Sequence, residues 1–122
     1  TCATNADDIV GCVWFSLQAI KIISCTIMTG EGGGTNTGHT VHLMRYDIDA
    51  DGDWSSGTIV GSAAPINNDD YSQARKIALT MSGTAANLLV STSQILVGTV
   101  EMISAYNSYT SAKVVLQYQE VQ

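Results

Sequence analysis

The chain has 122 residues, of which 45 % are hydrophobic and only 13 % charged, and its net charge is −6. That length suits one domain with a substantial core, and so sparse a charge favours a Thr-, Ser- and Gly-rich β protein over a helical one. Nothing in the sequence concentrates the five Lys and Arg residues into a patch, so recognition of nucleic acid by phosphate neutralisation is not expected.

Residues 1–8 are polar and read as an arm or loop ahead of a single domain over residues 9–122. Residues 9–15 place Ile9, Val13 and Phe15 on one side and Val10, Cys12 and Trp14 on the other. A strand apolar on both sides is covered twice or sits at an interface. Residues 20–28 form a second strand. The whole run from 9 to 28 is apolar enough to raise a membrane span, but Gln18 and Lys21 interrupt it and Ile, Val and Cys dominate, so two strands are expected. A turn at Gln18 and Ala19 would set Cys12 opposite Cys25. Either a disulfide or buried free thiols would fit there, and a reducing cell favours the thiols. The third cysteine, Cys2, leaves an odd count without Cys-x-x-Cys spacing, which argues against zinc.

Residues 29–38 hold five glycines and read as a surface loop. A phosphate cradle would need a helix start after them, and a strand follows instead. That strand, residues 39–48, alternates Thr40, His42, Met44, Tyr46 and Ile48 against Val41, Leu43 and Arg45. Residues 57–62 make a short strand, and 63–72 a loop with the chain's only proline, Pro65. In 74–81 another strand turns Ile77, Leu79 and Met81 one way. The connection 82–93 contains a short strand or one helical turn at 87–90. Residues 94–104 and 112–121 are the last strands, joined by a loop displaying Tyr106 and Tyr109. Seven or eight strands separated by turn signals predict an all-β fold, an antiparallel, jelly-roll-like β-sandwich.

The one chemically suggestive passage is the loop of residues 47–53. Asp47, Asp49, Asp51 and Asp53 alternate, with Gly52 at the sixth place. Hard cations gather oxygens in this way, so Ca2+ held by these four aspartates is one reading and a solvated acidic turn is the other. An ordinary EF-hand is ruled out, because Thr58 stands where a bidentate Glu belongs and strands flank the loop. His39 and His42, three apart on a strand, face opposite ways and cannot share a metal. No nucleophile elbow and no acid–base carboxylate pair is visible, and Asp7-Asp8 and Asp69-Asp70 read as loop charges, so no enzyme is expected and no cofactor is required. Trp54, Tyr71, Tyr106 and Tyr109 lie in or beside loops, where they would stack on sugars or pack against neighbouring subunits.

The strand Ile77-Ala78-Leu79-Thr80-Met81 leads into Ser82-Gly83-Thr84-Ala85-Ala86-Asn87-Leu88, and the strand Gln94-Ile95-Leu96-Val97 follows. Val114-Val115-Leu116-Gln117-Tyr118 closes the chain as a hydrophobic strand, and two apolar strands open it. In this layout the chain resembles the small β-sandwich head decoration, or cement, proteins of tailed bacteriophages. The resemblance implies a non-enzymatic virion protein on the capsid surface, commonly a homotrimer, with the major capsid protein and its own copies as partners and neither nucleic acid nor membrane among them. The four-aspartate loop is not part of it. A calcium-assisted carbohydrate-binding module, and a tail, fibre or filament subunit, are the alternative expectations.

Overall fold

Alternating aliphatic side chains on two antiparallel sheets define the interior of the fold. The structure is a computed structural model that describes residues 7–29, 32–33, 39–66, 75–102, 108–109 and 112–121, with side chains over 14–28, 40–63, 76–99 and 113–121. Its strands are β1 (Asp7–Phe15), β2 (Ile20–Thr29), β3 (Gly32–Gly33), β4 (His39–Ile48), β5 (Trp54–Ile66), β6 (Arg75–Ala78), β7 (Thr80–Met81), β8 (Leu89–Val90), β9 (Gln94–Met102), β10 (Ser108–Tyr109) and β11 (Ala112–Glu120). A 3₁₀ turn, Ala85–Leu88, precedes β8. The five-stranded sheet runs β1-β9-β4-β5-β7 and the four-stranded sheet β11-β2-β6, with β8 also on β2. Since β11 pairs along the whole of β2, β6 and β8 share its other side, β6 from Thr26 onward and β8 at Ile20 and Lys21. Apart from the β4–β5 hairpin and the separate β3–β10 pair, the chain alternates between the two sheets, as it does in a jelly roll.

The antiparallel sandwich expected from the sequence is therefore present, with more strands than seven or eight. Part of the difference is length, because two-residue strands leave no periodicity to read. The rest is one misplaced continuity. The single strand expected over 74–81 is two strands in different sheets. At Leu79, whose N–H donates to the Cys25 carbonyl at 3.0 Å, the chain leaves β2. Thr80 and Met81 then pair with Ser62 and Gly61 of β5. The first two strands do not pair across a turn that would set Cys12 opposite Cys25, since β1 pairs with β9 and lies in the other sheet. Cys25 is free and buried, so it is not bonded to Cys12. The glycine loop is only partly a loop, because Gly32 and Gly33 pair with Tyr109 and Ser108.

β-Bulges shape both sheets. On β2, Ile20 and Ile22 face the core, then Cys25 and Ile27 do so. The parity changes at the register shift opposite Gln117 and Tyr118. A single extra residue moves every later side chain to the other face, and without it Ser24 and Thr26 would point inward. β5 needs thirteen residues to accompany the ten of β4, with three register shifts between them. Ser56 sits at one with φ of 54°. Pro65 falls at another, a place where a missing N–H is tolerated. Such bulges bend a sheet, and this one is curled. They also explain why 57–62 understates β5, which begins at Trp54 and continues past Pro65.

Arg45 ties the sheets together. It points from β4 toward the interior side, and its Nη1 lies among the carbonyls of Ala86 at 3.0 Å, Asn87 at 3.3 Å and Leu89. These are carbonyls at the end of the 3₁₀ turn, where the Ala86 carbonyl also accepts the Leu89 N–H. Hydrogen bonds to a charged group are worth ~1.5–3 kcal/mol. Arg45→Met should lower unfolding stability by about 2 kcal/mol in a urea titration, and Arg45→Lys should recover only part of it, because an ammonium on a shorter stem cannot serve all three carbonyls.

Burial pushes the Cys25 thiol up to about 12 from its ordinary value of 9.0. The folded state therefore prefers the neutral thiol. Stability is fully present below pH 9 and falls as pH rises from there toward 12, where only the unfolded chain ionises freely. Melting curves between pH 8 and 11 should show that fall, and Cys25→Ala should flatten part of it.

Candidate interaction surface

The acidic loop is the tip of the β4–β5 hairpin. Asp47 and Ile48 still belong to β4, opposite Ser55 and Trp54. The Gly52 N–H donates to the Asp49 carbonyl at 3.1 Å, closing a β-turn, and Gly52 takes φ of +87°. Glycine meets that left-handed position without the steric cost a side chain would carry. The Asp49 carboxylate faces inward to the loop. Its Oδ1 accepts the N–H groups of Asp51 and Asp53, both at 2.9 Å. Asp47 Oδ1 accepts from Gln94 Nε2 at 2.6 Å, joining the hairpin to β9. Two of the four aspartates thus have structural work within the chain, and Asp51 and Asp53 are left exposed. Among the described residues no three or more His, Cys, Asp or Glu side chains converge as a cation site.

The other candidates are dispersed. His42 is buried on β4, and His39 is that strand's first residue. Trp54 is 43 % exposed, with its ring 5.8 Å from that of Tyr46. Tyr71 and Tyr106 lie outside the described residues, and Tyr109 belongs to β10. An apolar cleft of about 260 Å³ opens between the sheets beside β1 and β11, lined by Trp14, Leu96, Leu116 and Tyr118 among others. The Trp14 and Tyr118 rings stand 5.6 Å apart across it.

The surface that sequence reasoning missed is the outer face of the four-stranded sheet. Cross-strand partners share a face, so the register assembles it row by row. Lys113, Met28 and Lys76 form one row. Val115, Thr26 and Ala78 form the next, and Gln119, Lys21 and Leu89 the last. Ser24 Oγ donates to Gln117 Oε1 at 3.2 Å between them. Met28, Ile23, Leu89 and Val115 are each between 43 and 53 % exposed. All three lysines of the chain stand on this face, and among the described residues no Asp or Glu does. Residues 76 and 113 are far apart in sequence, and strand register sets them on either side of Met28, with Lys21 at the far end of the face.

No protein-family model, no curated protein and no solved structure matches this chain.

The hairpin's internal bonds give a measurable asymmetry. Asp49→Ala removes an acceptor for two backbone N–H groups and should cost about 1 kcal/mol of unfolding stability. Asp51→Ala should change it by less than ~0.5 kcal/mol, as exposed substitutions do. Equal losses in thermal or urea melts would contradict the turn geometry.

Proposed function

We propose that this chain is a structural subunit of a virus particle, a capsid decoration or cement protein that works by surface contact and not by catalysis. The observation that carries the reading is the open face of the four-stranded sheet. Four half-exposed aliphatic side chains and three lysines share it, while the five-stranded sheet buries both faces of its central strands. Met44 and His42 on one side of β4, and Val41 and Leu43 on the other, are all at most 9 % exposed. An open sheet face with apolar content is the usual mark of an interaction site.

Its size favours repetition over a single strong contact. From the Lys113 row to the Gln119 row the face spans roughly 20 Å, and three strands make it about 15 Å wide. That is on the order of 300 Å², against the ~800 Å² per partner of a standard stable interface. Contacts this small hold when many copies engage at once, as on a regular shell, where effective concentration supplies what area does not. The partners in this reading are the major capsid protein and further copies of the chain, arranged as a trimer. The overall acidity of −6 fits a protein that does not bind nucleic acid.

Sedimentation equilibrium of the purified chain should give a trimer, and immunogold electron microscopy of its native source should place label on particle surfaces. A monomer whose label lies on no particle would overturn the proposal. Label along filaments or tails would move the subunit to another part of the virion.

A further inference from the structure

The chain carries opposite charges on separate surfaces. On the four-stranded sheet, Met28 stands between Lys113 and Lys76, two neighbouring strands away from each other. All three side chains are exposed, and neither lysine is ion-paired among the described residues. At the tip of the β4–β5 hairpin, Asp51 and Asp53 are exposed beside half-exposed Trp54. Their carboxylates are not used within the loop, where Asp49 supplies the acceptor. One surface is cation, thioether, cation, and the other is two carboxylates beside an indole.

We infer that the lysine row of one copy receives the β4–β5 hairpin of a second copy, with Asp51 and Asp53 against Lys76 and Lys113 and Trp54 against Met28. The inference rests on the reading of the chain as an assembly subunit and names the partner of its open face. Sulfur–aromatic contact and burial of Met28 supply apolar attraction, and the ion pairs set the orientation. The remaining acidic surface makes a lysine-bearing partner face the favoured neighbour and a second acidic face an unfavoured one.

Geometry follows from the placement. The hairpin belongs to one sheet and the lysine row to the other, so a copy can give with one surface and receive with the other simultaneously. Such a contact is heterologous. It generates a ring when the rotation closes, and a trimer is the smallest ring beyond a pair. Hydrogen bonds within the hairpin hold its tip in shape before contact, which lowers the ordering cost of association.

Two charge-reversed variants test this: K76E/K113E, which removes the receiving surface, and D51K/D53K, which removes the giving one. Circular dichroism and melting temperature verify that each remains folded. Each alone should be monomeric by sedimentation equilibrium at concentrations where the unaltered chain associates, with at least a tenfold weaker association. Mixed together they should associate again, beyond a dimer and in alternation, because the Asp hairpin of one variant meets the lysine row of the other and the reversed hairpin meets the reversed row. Association of the unaltered chain should also weaken between 50 and 500 mM salt. If both variants assemble like the unaltered chain, or if their mixture stays monomeric, the hairpin is not the occupant. An unaltered chain that is monomeric yet decorates particles through the lysine face would overturn this inference and leave the proposed function standing. A chain that neither associates nor binds particles would remove both.

Discussion

The Arg45 guanidinium is the contact on which the arrangement of the second sheet depends. A cation directed inward from the centre of one sheet must find acceptors, and the carbonyls of Ala86, Asn87 and Leu89 provide them. Those residues lead straight into β8, which pairs with Ile20 and Lys21 at the start of β2. The chain then turns through residues 91–93 and becomes β9, which lies between β1 and β4. One side chain thus fixes the point at which the chain docks on one sheet before returning to the middle of the other. Asp47 and Gln94 reinforce the same corner from the opposite direction.

The two sheets are not equivalent. In the five-stranded one, neighbouring residues on β4 and β9 are buried whichever way they point, as Leu96, Val97 and Thr99 show at 1, 0 and 2 % exposure. In the four-stranded one, β2 buries only one face. Its other face keeps Ile23 and Met28 near half exposure and collects the lysines. The five-stranded sheet is covered on both sides at β4 and β9, while Phe15 on β1 and Ile59 on β5 stay exposed. On the four-stranded sheet, exposed apolar area and positive charge share one face.

Much of the fold was legible in the sequence, and the exceptions share a cause. The clean alternation of His39–Ile48 predicted both faces of β4 correctly, including Arg45 beside Val41 and Leu43. The pattern failed wherever a residue is inserted into a ladder. The bulge in β2 exchanges parities between Ile22 and Cys25, and the bulges in β5 make a thirteen-residue strand look like six. Continuity misled at Leu79, because an apolar alternation does not say which sheet each half joins. The lysine face was invisible for a similar reason, since pairings between Lys113, Met28 and Lys76 are a property of register across the whole chain. In the hairpin, alternating aspartates suggested one shared task. The structure divides them between a turn acceptor, a link to β9 and two exposed charges.

The pairing of β2 also determines when the domain can form. Of its neighbours, β6 and β8 emerge about fifty residues or more after it and β11 about ninety. Likewise β1 waits for β9. Closing such long loops costs entropy before any ladder bond repays it, so collapse should be slow and nearly all-or-none. During that interval Ile20, Ile22, Ile27 and the exposed edge of β2 are open to other chains, and they are an aggregation hazard while synthesis continues. β2 is made early and paired late.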